Sequence, residues 1–430
     1  MNALSILQIF LDTLLLALRA AWVIPRGWLV ARAARASAGN SAEDSEPLPV
    51  FLYSQVAWAD VWQRPQEMAV GLARHRPVLF FGPVQTHHRV WRLKRRWRRV
   101  EPGPGPESAR PQVASPLIFP GEYRWEWARA INRVLLRAEA RLALARLDPR
   151  AACGRFLFLT NSPFCDTLMD KLHPRAVVYD IIDDFVKFAW APADGPRRES
   201  AILRRADLIF TGTQTLRETK TAGYAEAHFI ACGVDFERFS GGNAQPEPSD
   251  LAALPRPILG YFGTLSDRLD RDLLEALARR FPEASLVLIG PVLGSFGPPI
   301  EGRNIHYLGL KPPEALAAYA ARFDVALMPF AQTEAARAIN PVKTLEYLAA
   351  GCRVISTPIP DVERFFSDVV AIHPAVEPFL DAVARLLDER GSEADAQARR
   401  RGIERARSRS WGAMSDEMET RLAALERRRL

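Results

Sequence analysis

Twelve short runs of apolar, β-branched and aromatic residues recur along the chain, each separated from the next by a stretch with helical periodicity. They are Val50–Gln55, Val78–Gly82, Phe156–Asn161, Val177–Ile182, Leu208–Thr213 and His228–Cys232, then Ile258–Gly263, Ser285–Gly290, Ile305–Gly309, Val325–Phe330, Val354–Thr357 and Val369–His373. Runs that are apolar throughout, rather than alternating, belong to strands buried on both faces. That means parallel sheets covered by crossover helices. The two sets of six join near the polar stretch Ser240–Asp250, so the expectation is an α/β chain of two doubly wound, Rossmann-like domains. A length of 430 residues suits two cores rather than one. Such folds bind ligands outside the carboxyl ends of their strands, and the cleft between the domains is the natural active site.

The formal net charge of +7 is matched by a single run, Arg89 to Arg99, which holds seven basic residues and no acidic one. The remainder is formally neutral, so an acidic partner met at one place fits better than a generally basic protein. Four well-separated cysteines, without a C-x-x-C pair, argue against structural zinc and disulfides and fit a reducing cytoplasm. Residues 3–24 are long and apolar enough to consider a membrane span. Ser5, Gln8, Asp12 and Arg19 fall within an arc of about 60° on a helix, which suits a helix lying in the membrane interface. A tilted span, a helix packed on protein and a signal peptide remain alternatives. Residues 36–49 read as a linker, 101–120 as a mobile Pro/Gly-rich loop, and Glu122 to about Leu147 as one helix. Its Arg129, Arg133, Arg137 and Arg141 form a stripe that reads as a solvated face.

The strongest site signal is the stretch from Ala338 to Gly351. Asn340 suits an N-cap, Pro341 the first helical position and Gly351 the stop, with Val342, Lys343 and Thr344 in the first turn. The free N–H groups of such a helix start hold a diphosphate, and Lys343 adds a charge. Glu346, in an otherwise apolar helix, is costly to bury without donors such as ribose hydroxyls; pairing to a neighbouring Arg is the alternative. Gly263 and Thr264 begin a turn that lets backbone approach a phosphate, and Arg268 is placed to neutralise leaving-group charge. In the first half, Trp62, Gln63 and Arg64 follow the first strand, and Asp183 and Asp184 follow another. That pair suits a polyol, a cation, a basic partner or general-base chemistry, with helix capping as the alternative.

W-Q-R-P, Y-D-x-x-D-D, Y-F-G-x-L and N-P-x-K-x-x-E-Y-L-A-A-G, with Ala206–Gly212 and Gly233–Phe239, occur in the order and spacing of a GT-B glycosyltransferase. The chain resembles the group 1, or family 4, members over about residues 48–425. The resemblance implies two Rossmann-like domains, at 47–240 for the acceptor and 241–405 for a nucleoside-diphosphate sugar. An N-terminal helix and linker over 1–46 precede them, and a final helix over 406–430 packs back on the first domain. It implies that Glu346 holds the ribose, that Gly263, Arg268 and Lys343 surround the diphosphate, and that no metal or other cofactor is required beyond the UDP- or GDP-sugar substrate. The sequence departs from the pattern in three places. Ala338 stands where the first of two glutamates eight apart is usual, Asp183 and Asp184 replace a His, and Asp270 and Asp272 occupy the region of a usual Lys.

The implied function is transfer of a sugar to a lipid-linked or envelope glycan acceptor at the cytoplasmic face of the membrane. Asp183, Asp184 and Arg268 are the catalytic candidates, and Trp62, Gln63 and Arg64 flank the acceptor. Trp91, Arg92, Lys94, Arg95, Arg96, Trp97, Arg98 and Arg99 interleave indoles and cations, which suits an anionic membrane surface. No nucleic-acid-reading motif accompanies them. A sugar-nucleotide epimerase of the same fold, or a catalytically silent GT-B partner subunit, are the rival readings.

Overall fold

The computed structural model describes residues 18–30, 32, 46–59, 62–82, 84–85, 101–102, 110–118, 125–188, 191–224, 226–333, 339–340 and 342–429. The chain divides into two compact units. The first is Met1–Thr211, Thr221–Ile230 and Ser415–Leu430; the second is Gly212–Lys220 and Ala231–Met414.

The first unit is built on β1 (Val50–Tyr53), β2 (Val78–Phe81), β3 (Val84–Gln85), β4 (Glu101–Pro102), β5 (Gln112–Ala114), β6 (Leu117–Ile118), β7 (Leu157–Thr160), β8 (Ala176–Ile181), β9 (Leu208–Thr211) and β10 (Ala227–Phe229). Its main sheet runs β10-β9-β8-β7-β1-β2-β5-β4, parallel except for β4 at the edge. Strand order reverses between β1 and β7, which pair in register from Val50↔Leu157 to Tyr53↔Thr160. Each apolar run of the first half overlaps one of these strands. Residues 101–120, expected as loop, instead supply β4, β5 and β6, with β5 pairing β2 through Phe80↔Val113. Two or three residues per strand are too few to show a periodicity.

The long helix spans Glu126–Leu147, and its arginine stripe is not simply solvated. Arg129 is buried and donates to Asp194 at 3.1 Å, because it faces the neighbouring helix Gly195–Arg205 rather than water. Residues 18–30 are helical and lie on this long helix, with Val23 against Ala138 and Leu142. Gly27 permits the approach, since a Cβ there would come within 2.9 Å of the Ala138 backbone. No helix among the described residues is long and apolar enough to cross a membrane. Residues 1–17 and the basic run Arg89–Arg99 lie outside the described residues.

The second unit carries β11 (Ile258–Phe262), β12 (Ser285–Ile289), β13 (Ile305–Gly309), β14 (Val325–Met328), β15 (Arg353–Ser356) and β16 (Val370–Ile372), one for each apolar run of the second half. All six are parallel, in the order β13-β12-β11-β14-β15-β16, the doubly wound arrangement with its switch point between β11 and β14. Gly260 in β11 lets the Phe323 ring lie against the strand, because a Cβ there would meet that ring at 2.2 Å.

Helix Trp411–Arg429 returns its residues from Ser415 onward to the first unit. Arg76 fastens it there: the guanidinium is buried, donates to Glu419 at 2.8 Å and to the Leu48 carbonyl at 2.9 Å, and pairs with Glu426. Glu426 in turn accepts from the Leu48 N–H at 3.2 Å. Replacing one member of a buried ion network leaves its partners' charge uncompensated, at about 3–5 kcal/mol. Arg76→Met is therefore expected to destabilise the first unit by about that amount in chemical denaturation. An unchanged unfolding midpoint would show that the network does not hold the C-terminal helix.

Candidate active site

The helix Val342–Ala349 begins beyond the carboxyl end of β14 and is fastened to the sheet by two side chains. The Tyr347 hydroxyl accepts from Phe262 N–H at 2.9 Å, with its ring edge-on to the Phe262 ring. Thr344 is buried and its hydroxyl meets the Met328 sulfur at 3.0 Å. With Thr344 and Tyr347 inward, Lys343 and Glu346, three residues apart, share a half-buried neighbouring face. Asn340 uses its side-chain amide to donate to the Gly212 carbonyl at 3.0 Å and to contact the Cys232 sulfur at 2.9 Å, so it ties the approach to this helix to two other loops of the same unit. Pro341 and Ala338 lie outside the described residues.

Gly263 follows β11 directly with a φ of 147°, a conformation that favours glycine. A Cβ there would lie 2.3 Å from Lys343 Cε and 2.7 Å from the Tyr261 hydroxyl, so the lysine stem rests on the bare glycine backbone. Gly290, after β12, has a φ of 142° and would place a Cβ 2.0 Å from the Gly263 carbonyl oxygen. Backbone bonds Gly263 N–H to Ile289 O (2.8 Å), Leu265 N–H to Pro291 O (2.9 Å) and Gly290 N–H to Gly309 O (2.9 Å) zip the loops after β11, β12 and β13 together. Arg268 lies farther along the first loop, its carbonyl accepting from Ala331 N–H at 2.8 Å, and its charge reaches Lys343. Thr264 is exposed on the same loop. Asp270, flagged in the sequence as standing near a usual lysine, caps helix Arg271–Arg280 by accepting from Leu273 N–H at 2.9 Å.

The electrostatics of this corner follow from burial. Burial pushes the Glu346 carboxyl up to about 7, while Lys343 and Arg238 pull it down. Burial lowers the Lys343 ammonium, Glu346 opposes that shift and Arg268 reinforces it. Arg238, on helix Phe236–Ser240, was not among the site residues expected from sequence. Its place inside the Gly233–Phe239 motif was the available signal.

The first unit places its expected residues less uniformly. Arg64 is buried and makes a bidentate pair with Asp180, at 3.0 and 2.8 Å, and donates to the Ile230 carbonyl at 2.8 Å. It therefore holds β8 and the end of β10 to helix Arg64–Leu72. Gln63 is the N-cap of that helix and is exposed, and Trp62 donates to Glu67 at 2.8 Å. Asp184 is buried and lies 3.5 Å from the Lys187 ammonium, without a side-chain cap bond to the turn Phe185–Lys187. Asp183 is half-buried and accepts from Asp184 N–H at 3.2 Å. Sequence reasoning missed the polar cluster where strand order reverses. There Gln55 N–H donates to Asn161 Oδ1 at 2.7 Å and Ser162 Oγ donates to Gln55 Oε1 at 2.6 Å. Ser-Gln and Asn-Ser directly after two apolar runs were the signal. Trp91 to Arg99 lie outside the described residues.

The glycosyl transferase-like family matches residues 267–415, within the second unit except for its last residue. TuaH of Bacillus subtilis (strain 168), a glycosyltransferase assigned by name to teichuronic acid biosynthesis, is 27% identical over 229 residues. That match covers 50% of this chain and 56% of TuaH, so the chain aligns with a little over half of its relative. Among solved structures, Anabaena HepE in complex with UDP and glucose is similar with a TM-score of 0.62 at 12% identity, over 88% of this chain and 100% of that one. A trehalose-6-phosphate protein of E. coli bound with UDP-2-fluoro glucose gives 0.62 at 12%, over 87% and 98%. The α,α-trehalose 6-phosphate synthase of Burkholderia multivorans gives 0.60 at 15%, over 89% and 99%.

A carboxyl held at about 7 when folded and near 4.5 when unfolded stays protonated while the unfolded chain ionises. Stability is thus expected to fall as pH rises from about 4.5 to 7 and then level, at a cost of roughly 3 kcal/mol. Glu346→Gln should remove that slope and raise stability at pH 8, measured by denaturant unfolding at pH 5 and pH 8. Equal slopes in both proteins would mean an ordinary carboxyl. Two parallel sheets and the likeness to these solved structures give this chain a GT-B-like fold, and its residues 267–415 match the glycosyl transferase-like family.

Proposed function

We propose that the chain transfers a sugar from a nucleoside-diphosphate sugar to a lipid-linked or envelope glycan acceptor at the cytoplasmic face of the membrane. The observation that carries this reading is the Gly263–Lys343–Glu346 corner at the switch point of the second sheet. Bare backbone at Gly263 lets a diphosphate approach closely, and the N-terminus of helix Val342–Ala349 offers N–H donors to it. Lys343 and Arg268 supply positive charge where the leaving group gains negative charge. The Glu346 side chain has no hydrogen-bond partner among the described residues and stands one turn along, where hydroxyl donors of a ribose would restore its ionised form. UDP in the HepE complex and UDP-2-fluoro glucose in the E. coli protein are ligands of the corresponding kind. TuaH's name supports an envelope polysaccharide as acceptor.

The first unit takes the acceptor in this reading, with Trp62, Gln63 and Asp183 beside it and Asp183 nearest the attacking hydroxyl. Arg64 acts there through the frame it builds with Asp180 rather than by touching the acceptor. Catalysis rests on positioning and on stabilising the departing diphosphate.

Thermal stabilisation by a panel of UDP- and GDP-sugars tests the donor class. Lys343→Ala is expected to weaken donor binding by about tenfold to a hundredfold, the loss of one charge-assisted contact. Glu346→Ala should abolish nucleotide release, and wild-type turnover in that variant would sink the ribose assignment. Release of nucleotide without any acceptor product would favour the epimerase reading instead.

A further inference from the structure

Nine of the thirteen large hydrophobic side chains exposed among the described residues sit on, or one residue ahead of, two helices: residues 18–30 and Glu126–Leu147. On the long helix, Trp127, which stacks on Trp125, and Ile131 and Val134 follow one another at helical spacing and form a stripe 52%, 42% and 45% exposed. The stripe continues to Ala138 and Leu142, and there it is covered by Val23. The short helix thus shields half of an apolar stripe and leaves the other half open. The short helix turns Val23 and Gly27 inward and presents Trp22, Trp28 and Leu29 outward, 49%, 53% and 56% exposed. A contiguous apolar surface of this kind marks an interaction site.

Charge identifies the partner. Residues 18–32 contain Arg19, Arg26 and Arg32 and no acidic residue. Arg19 pairs with Glu139, whereas Arg26 lies 4.2 Å over the Trp22 ring and Arg32 lies 5.6 Å over the Trp28 ring. Neither of these two has a carboxylate partner among the described residues. Indoles with guanidinium groups beside them suit the headgroup layer of an anionic bilayer, where the ring meets the acyl boundary and the cation meets phosphate. A second copy of the same surface would instead bring cations against cations.

We propose that the outer face of residues 18–30 and the N-terminal half of Glu126–Leu147 form one docking surface for an anionic lipid bilayer. It rests on the reading that the acceptor is met at a membrane, and it names the surface that meets it. The test uses the full chain and the double variant Trp127→Glu/Ile131→Glu, which keeps residues 1–46 intact. Both are sedimented with vesicles of phosphatidylglycerol and phosphatidylcholine in equal parts. Trp22→Glu tests the other helix. The expected result is a fall of at least about tenfold in partitioning for either variant, with melting temperature and stabilisation by UDP-sugar unchanged. The full chain should also bind vesicles of phosphatidylcholine alone more weakly.

Variants that sediment with vesicles as well as the full chain does would overturn the proposal. So would equal binding of the full chain to neutral vesicles, or no binding to either. A shift from dimer to monomer in the variants without lipid would assign the surface to a second copy instead. Vesicle binding without stabilisation by any nucleotide sugar would remove the donor reading and leave the docking surface standing.

Discussion

The hydrogen bond from Phe262 N–H to the Tyr347 hydroxyl, 2.9 Å long, ties helix Val342–Ala349 to the last residue of β11. The edge-on contact of the two rings and the Thr344–Met328 contact fix the helix's rotation as well as its place. Once that rotation is set, Lys343 lies against Gly263 and Glu346 lies within reach of Lys343 and Arg238. Gly263 in turn has room for the lysine stem because it lacks a Cβ, and its own position is set by Gly290 beneath it. A switch point between β11 and β14 places all of these at the carboxyl ends of the sheet's central strands. The placement of Lys343 and Glu346 therefore follows from how one helix is clamped.

That clamp places charge where apolar side chains would be less costly. Glu346 is raised to about 7 and Lys343 is lowered, both chiefly by burial, so burial disfavours the charged form of each. Opposite charges three residues apart relieve only part of this cost. On the proposed reading, a corner that keeps a lysine, a glutamate and nearby arginines against bare glycine backbone suits a ligand with both anionic oxygens and hydroxyl donors. A phosphate alone would leave the glutamate unanswered, and a polyol alone would leave the cations unanswered.

The sequence disclosed the parts of this arrangement that depend on burial over several residues. The six second-half strands are apolar throughout because both faces of their sheet are covered, so each run stood out. β3 to β6 are two or three residues long and owe their existence to a neighbour's backbone, which no local pattern records. The residues of the Gly263–Lys343–Glu346 corner stood out because glycine, lysine and glutamate are each unusual in their local context. Arg64 and Arg129 were misread for the converse reason. An arginine reads as surface or ligand from sequence, and only the fold supplies the aspartates, Asp180 and Asp194, that draw it inside.

The two switch points differ in chemistry in a way that follows from their strands' ends. At β11 and β14 the second sheet offers glycine backbone with cations and one carboxyl. At β1 and β7 the first sheet offers amides and hydroxyls, with Gln55, Asn161 and Ser162 bonded to one another and Thr160 donating to the Tyr53 carbonyl at 3.1 Å. A neutral cluster whose hydrogen bonds are already made gains little from an anion, since it has no charge to answer one. It exchanges bonds at low cost with another neutral donor and acceptor, which is what a sugar hydroxyl is. The same doubly wound scaffold thus suits an ionic ligand at one switch point and a neutral one at the other. The difference lies in side chains directly after the strands rather than in topology.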